Sequence, residues 1–118
     1  MAMLSEVSGK TLRLLHRGRE SGRCYEVTIW FVRVDGSLYI GALDDRRAWV
    51  RNLRANGEAV IDDAAAPIRC RCFAVEDADT LTLFRLAVRD KYPIVSRVMA
   101  LFGRRGRRQA VFRLEEAE

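Results

Sequence analysis

The sequence lacks the features that identify a disulfide scaffold, a membrane protein or a secreted protein. It contains three cysteines among 118 residues, an odd number and too few for a disulfide framework. No apolar run approaches the roughly 20 residues of a membrane span. The first ten residues, MAMLSEVSGK, are too polar for the apolar segment of a signal peptide. We therefore expect a reduced, cytoplasmic protein that makes no contact with a membrane.

Side chains that bind metals or act as catalytic bases are also scarce. Cys70 and Cys72 are close in sequence, but no third or fourth soft ligand lies at the spacing of a zinc site. We therefore predict no metal site and expect both thiols to pack in a core. His16 is the only histidine. Since no carboxylate or nucleophile is spaced near it, we expect a structural role rather than a catalytic one.

Positive charge comes almost entirely from arginine, because Lys10 and Lys91 are the only lysines in a chain of net charge +5. The planar guanidinium suits phosphates and carboxylates, although an arginine-rich genome gives the same composition. The densest basic segment, GRRGRR at 103–108, lacks interleaved aromatic residues and a recognition-helix pattern. We therefore regard nucleic-acid binding as unlikely.

The apolar and turn residues predict one mainly β domain over residues 1–118, with helices. Predicted strands cover 11–16, 26–34, 37–41, 58–62, 67–75 and 109–114, helices follow Asp45 and Asp77 or Asp79, and a second short helix covers 94–102. Six antiparallel strands in so short a chain would expose edges as an open sheet. We therefore predict a closed six-stranded antiparallel barrel.

The segment 19–56 contains the strongest local signals. The strand 26–34 is apolar on both faces, which predicts burial on both sides or contact with a ligand or second subunit. Asp35-Gly36 predicts a hairpin. The loop 17–23 is either an ordinary hairpin turn or, with its glycines and arginines, an anion-binding nest.

A short helix follows this hairpin. Asp44 and Asp45 are its N-cap candidates, and Asn56-Gly57 should end it. We expect one side of the helix to face the core and the other to form a basic stripe. The core side contains Trp49, Val50 and Leu53, and the stripe contains Arg47, Arg51 and Arg54.

In this order, the Ser-Gly pair, the long strand, the Asp-Gly turn, the Tyr-Ile pair and the segment AWVRNLRAN resemble the flavin- and deazaflavin-binding split β-barrel oxidoreductases. The likeness is strongest to the deazaflavin-dependent nitroreductase branch, and the pyridoxamine phosphate oxidase-like barrels share the architecture. It covers residues 17–62 well and the rest loosely. Two positions depart from the family pattern, since Glu20 and Tyr25 stand where basic residues are usual.

The resemblance implies that the six-stranded antiparallel barrel is a split β-barrel of the FMN-binding type. It also implies a homodimer with a cofactor, the 8-hydroxy-5-deazaflavin coenzyme or FMN, in a groove at the dimer interface. It also implies that Tyr92 flanks the substrate. The implied cofactor-binding residues, with Arg23 as a substitute for a missing basic residue, are Arg19, Ser21, Arg23, Tyr25, Thr28, Ile29, Trp30, Gly41, Ala42, Leu43, Asp44, Ala48, Trp49 and Asn52.

The function implied by the resemblance is an oxidoreductase that transfers hydride to a small-molecule acceptor of nitro, quinone or enone type. No catalytic residue is identified. Two alternatives stay open: a non-catalytic barrel that binds or sequesters a flavin, and a basic nucleic-acid-binding module.

Overall fold

Six antiparallel strands close into a barrel in the computed structural model, which describes residues 3–62, 66–94, 96–97 and 108–117. The strands are β1 (Thr11–Arg17), β2 (Cys24–Val34), β3 (Ser37–Ala42), β4 (Glu58–Ile61), β5 (Ile68–Ala74) and β6 (Ala110–Glu116). Their order around the barrel is β1-β2-β3-β6-β5-β4, and pairing of β1 with β4 closes it. The predicted six-stranded antiparallel barrel is confirmed, with strand ends within two residues of those expected.

The helices with defined bounds are a 3-10 turn (Leu4–Glu6), α1 (Ala48–Asn56) and α2 (Ala78–Lys91), and residues 93–94 and 96–97 are also helical. None of them is long and apolar enough to cross a membrane. The second helix predicted at 94–102 and the basic turn at 103–108 lie largely outside the described residues.

The barrel interior is filled by the inward-facing side chains of all six strands and by one side of α1. Leu12, Leu14 and Ile61 have no exposed surface, and Val50 of α1 is equally buried among them. Burial of a side chain of this size stabilises the fold by about 1.5–3 kcal/mol. Trp49 and Leu53 belong to the same cluster, so the predicted core side of α1 is confirmed.

A second apolar cluster lies between α2 and the outer face of the barrel. Phe84 of α2 packs with Val32, Tyr39, Tyr92 and Val111. The long strand β2 is therefore buried on both faces near its end, as its sequence predicts. Further along, its outer face is open, since Trp30 is 37% exposed.

Of the two predicted helix N-caps, one is correct and one is wrong. Asp77 caps α2, and its Oδ2 accepts a hydrogen bond from the Thr80 amide at 2.9 Å. The prediction that Asp44 or Asp45 caps α1 is wrong, because the N-cap is Arg47 and it makes no side-chain cap bond. A turn closed from Arg47 N to Asp44 O places both aspartates ahead of the helix.

The hairpin and helix-stop signals are confirmed. Asp35 and Gly36 both have positive φ, 51° and 82°, as a two-residue type I′ turn requires. Gly57 ends α1 in the left-handed region with φ 69°. The first turn connects β2 to β3, and the second ends α1 immediately before β4.

Candidate functional site

A cleft of about 670 Å³ opens between the β1–β2 loop and the first turn of α1. Six of the residues that the family resemblance implied lie together there: Arg19, Ser21, Tyr25, Ala48, Trp49 and Asn52. The rest of its lining consists of His16, Gly18, Glu20, Glu26, Val27 and Arg47. Ala48, Trp49 and Asn52 come from the segment AWVRNLRAN, the most specific part of the sequence likeness.

The loop between β1 and β2 is a compact turn. The Gly18 amide donates to Arg23 O at 2.7 Å, and the Gly22 amide donates to Gly18 O at 3.0 Å. A Cβ at Gly18 would lie 2.5 Å from Ser21 Oγ and 2.9 Å from the Tyr25 ring, so a larger residue here would force these two side chains to move. Ser21 Oγ accepts from the Arg23 amide at 3.2 Å. Since these amides bond within the loop, the geometry favours the hairpin-turn interpretation over an amide nest.

Asn52 joins this loop to α1 and to β1. Its Oδ1 accepts from the Arg19 amide at 3.1 Å and from Arg19 Nη1 at 2.8 Å. Its Nδ2 lies 2.9 Å from His16 Nδ1. One turn later, Asn56 Nδ2 donates to Arg17 O at 2.8 Å. The two asparagines of α1 therefore hold the β1–β2 hairpin at the edge of the cleft.

His16 lines the cleft, but sequence reasoning did not include it among the site residues. It is 6% exposed, and its ring stacks on Tyr25 with centroids 5.8 Å apart. Burial lowers the pKa of the imidazole. The signal was present in β1, where Leu12, Leu14 and His16 alternate and so share the inner face of the barrel.

The charges and dipoles around the cleft combine both signs. Arg19, Arg47, Glu20 and Glu26 all line it, and Glu26 is paired with Arg13 at 3.2 Å. The first turn of α1 adds a partial positive charge, because its amides lack intrahelical acceptors and its N-cap contributes no side chain. The edge formed by Arg19 and α1 is therefore suited to an anion.

Three other residues implied by the resemblance are strand residues of β2 outside the cleft. Ile29 is 7% exposed and belongs to the core inside the barrel. Thr28 and Trp30 lie on the outer face, opposite Arg13 and Thr11 of β1. They do not line the cleft of their own chain.

The segment 41–44 is also separate from the cleft. A Cβ at Gly41 would lie 2.6 Å from Phe84 Cζ, so this glycine allows α2 to pack on the barrel. Ala42 pairs with Ala110 of β6, and Leu43 is partly buried. Asp44 accepts from the Arg46 amide at 3.0 Å and pairs with its guanidinium. Arg23, of the β1–β2 loop, does not line the cleft either.

Tyr92, which the resemblance implied as a substrate neighbour, is the C-cap residue at the end of α2. Its ring stacks on Trp30 with centroids 5.1 Å apart. Its hydroxyl hydrogen-bonds the carbonyl oxygens of Lys10 and Phe31, and burial raises its pKa. Lys91 donates to the same Phe31 oxygen at 2.8 Å. These contacts attach the end of α2 to the barrel.

The thiols and carboxylates of the described residues form no cluster that could hold a metal ion. Cys70 and Cys72 lie on the inner face of β5, and burial raises the pKa of each to about 12. Both therefore stay protonated at neutral pH and pack as small apolar groups, as their sequence context predicts.

Comparison with solved structures places this architecture. An F420-H2 dependent reductase (FDR-A) is similar with a TM-score of 0.68 and 21% identity, covering 90% of this chain and 94% of that one. A putative pyridoxamine 5′-phosphate oxidase from Listeria innocua matches with a TM-score of 0.64 and 11% identity over 93% and 86%. This chain has the split β-barrel fold.

Another similar solved structure is described as a haem protein. HutZ, the haem storage protein from Vibrio cholerae, matches with a TM-score of 0.71 and 17% identity, covering 92% of this chain and 82% of that one. No protein-family model and no curated protein matches the sequence. At identities of 11–21% the likeness is one of fold, and the ligand must be argued from the cleft.

Proposed function

We propose that this split barrel binds a flavin-type cofactor, the 8-hydroxy-5-deazaflavin coenzyme or FMN, in the cleft between the β1–β2 loop and α1. We propose further that it is an oxidoreductase acting on a small-molecule acceptor of nitro, quinone or enone type. The observation that carries the proposal is the start of α1. Its first turn lines the cleft together with Arg19 and Ser21, and it has no side-chain cap.

The anionic part of such a cofactor fits this edge of the cleft. Free amides at a helix N-terminus bind phosphate and carboxylate groups. Arg19 uses Nη1 for Asn52, which leaves other guanidinium hydrogens for a ligand, because arginine has five N–H donors. Ser21 adds a hydroxyl at the same edge. Glu20, which stands where the family usually has a basic residue, places a carboxylate nearby. Its negative charge offsets part of the positive charge at this edge.

The ring of the cofactor fits the other wall. Tyr25 is 45% exposed and its ring lies along the cleft, stacked on His16 at an interplanar angle of 28°. An exposed aromatic ring backed by a second ring offers a flat apolar surface to a planar ligand. When bound, the cofactor supplies the hydride chemistry, and the residues of this chain bind it, orient it and exclude water.

A homodimer is part of the proposal. Thr28 and Trp30 are exposed on the outer face of β2, outside the cleft of their own chain. They contribute to a cofactor site only if a second copy brings its cleft to that face. Light scattering or analytical ultracentrifugation of the purified protein checks this, and a monomer at all concentrations would remove these residues from the proposed site. We place the protein in the cytoplasm, where its three free thiols remain reduced.

The binding proposal is tested by titrating the purified protein with FMN and with the deazaflavin coenzyme, followed by absorbance and fluorescence. We expect one of them to bind, and we expect Arg19→Ala to weaken that binding about tenfold or more, as loss of a charged contact does. Arg23→Ala is the matched control, since Arg23 belongs to the same loop but does not line the cleft. Absence of binding by both cofactors, or equal losses in both variants, contradicts the proposal.

Catalysis is tested separately from binding. The reduced cofactor is mixed with the protein and a quinone, and its oxidation is followed by absorbance. Acceptor-dependent oxidation above the protein-free rate supports an oxidoreductase. Tight binding without such oxidation supports the alternative, a barrel that sequesters the cofactor.

A further inference from the structure

A buried chain of hydrogen bonds runs along the wall of the cleft from Arg19 through Asn52 to His16. Asn52 is 3% exposed and His16 is 6% exposed. Because water has little access to these groups, each one depends on its protein neighbours for hydrogen bonds. Their donor and acceptor roles can therefore be worked out one after another.

The orientation of the Asn52 amide follows from Arg19. One atom of this amide faces two donors, the Arg19 backbone N–H at 3.1 Å and its Nη1 at 2.8 Å. Neither group can accept a hydrogen bond. The amide atom at this place must be the oxygen, since the nitrogen would point its hydrogens at both donors. Asn52 Nδ2 consequently lies on the side of His16.

The tautomer of His16 follows from Asn52. Asn52 Nδ2 lies 2.9 Å from His16 Nδ1, and an amide nitrogen only donates. His16 Nδ1 therefore accepts this bond and carries no proton. Burial lowers the pKa of the imidazole, so the ring is neutral at physiological pH. A neutral imidazole has a single N–H, and here it is at Nε2.

The surroundings of the Nε2–H group follow from the contacts of His16. Among the described residues, His16 makes no hydrogen bond besides the one to Asn52. Within the described part of the chain, no buried side-chain nitrogen or oxygen lacks a hydrogen-bond partner. The Nε2 atom is thus not sealed in the core, and His16 is one of the residues that line the cleft.

We propose that Arg19 and Asn52 fix His16 as a neutral Nε2–H hydrogen-bond donor, and that His16 is the specificity-determining residue of the cleft. It favours a ligand that presents an acceptor, such as the carbonyl oxygen or ring nitrogen of a flavin-type ring. It disfavours haem ligation, because a histidine that binds iron through Nε2 needs its proton on Nδ1, donated to a second group. Only the choice of acceptor ligand rests on the function proposed above.

The tautomer is measured without any ligand. Since His16 is the only histidine, long-range proton–nitrogen correlation spectra of protein labelled with ¹⁵N-histidine show a single imidazole. At about pH 8, well above the ordinary histidine pKa of about 6.5, we expect protonated Nε2 and unprotonated Nδ1. In Asn52→Asp the carboxylate accepts from Nδ1, and the tautomer should reverse. Protonated Nδ1 in the wild type overturns the proposal, and so does an unchanged tautomer in a folded Asn52→Asp variant.

Ligand selection is measured with FMN and with hemin. We expect His16→Phe, which keeps a ring against Tyr25, to weaken FMN binding about 3–10-fold, the worth of one hydrogen bond. We expect His16→Gln, which keeps a donor, to stay within about threefold of the wild type. Equal FMN affinity of the wild type and His16→Phe overturns the proposal.

The experiment with hemin tests the role of His16 even if no flavin binds. The wild-type hemin spectrum should show no histidine ligation, and Asn52→Asp should acquire a ligation band that His16→Phe removes in the double variant. A histidine-ligated spectrum of the wild type overturns the proposal. If neither FMN nor deazaflavin binds the wild type, the proposed function fails, while the nitrogen spectra and the hemin spectra still decide the role of His16.

Discussion

Replacement of Asn52 by alanine tests how strongly α1 is attached to the barrel through a single amide. The substitution removes two bonds to Arg19 and one to His16 and leaves the His16 nitrogen without its donor. A net hydrogen bond contributes about 0.5–1.5 kcal/mol, and bonds to charged groups contribute more. We therefore expect the free energy of unfolding to fall by about 2–4 kcal/mol. With a urea m value of about 1–3 kcal/mol/M, the midpoint should fall by about 1–2 M.

Asn56→Ala is the matched control for this experiment. Asn56 belongs to the same helix and also bonds the β1–β2 hairpin, but through one exposed contact with Arg17 O. Its loss should cost about 0.5–1 kcal/mol. If urea unfolding followed by circular dichroism gave similar midpoints for both variants, the central place of Asn52 in this site would be refuted.

Three further predictions concern packing, capping and protonation. Gly41→Ala should destabilise the protein by about 1–3 kcal/mol, because its Cβ would overlap the Phe84 ring; in thermal unfolding, Phe84→Leu should relieve the effect, and purely additive losses would contradict the clash. Asp77→Ala should lower stability in urea by about 1 kcal/mol through loss of the α2 cap, whereas an equal loss in Asp79→Ala would show that the cap is not responsible. Since burial lowers the pKa of His16, the unfolded chain binds this proton more tightly. The free energy of unfolding should therefore decrease as pH falls through about 6.5, and a His16→Gln variant with the same decrease would refute this source.

Local signals predicted the strands well because each strand and turn depends on residues that are close together in the sequence. The alternation in β1 and β2, the Asp35-Gly36 turn and the Gly57 stop act within a few residues. The Asp77 cap is equally local, since the aspartate bonds an amide three residues away. Such signals need no knowledge of the remaining chain.

The start of α1 could not be found in this way. Asp44 and Asp45 have the chemistry of N-caps, but each finds another arginine partner, Arg46 and Arg54 respectively. The Asp45 amide also donates to Arg108 O at 2.8 Å, a bond to a residue far along the chain. These contacts occupy both aspartates ahead of the helix, which begins at Ala48 without a side-chain cap.

The residues that the family likeness selected fall into two groups, those that the fold brings together in the cleft and those that it places elsewhere. The family likeness selected Arg19, Ser21, Tyr25 and Asn52, and the fold places them around one cleft. It also selected Trp30 and Tyr92, which stack on each other outside that cleft. A linear motif does not show at which end of a barrel a residue lies, or which residues from distant parts of the chain it meets there.

The sequence by itself determined the number of strands, their antiparallel pairing and the Asp35-Gly36 hairpin, because apolar alternation and turn residues act over short distances. The tertiary structure decided that His16, dismissed as an isolated histidine, meets Asn52 from a helix 36 residues later. Closure of the barrel brings β1 beneath α1, and only that closure creates the buried environment in which one amide fixes the proton of the imidazole.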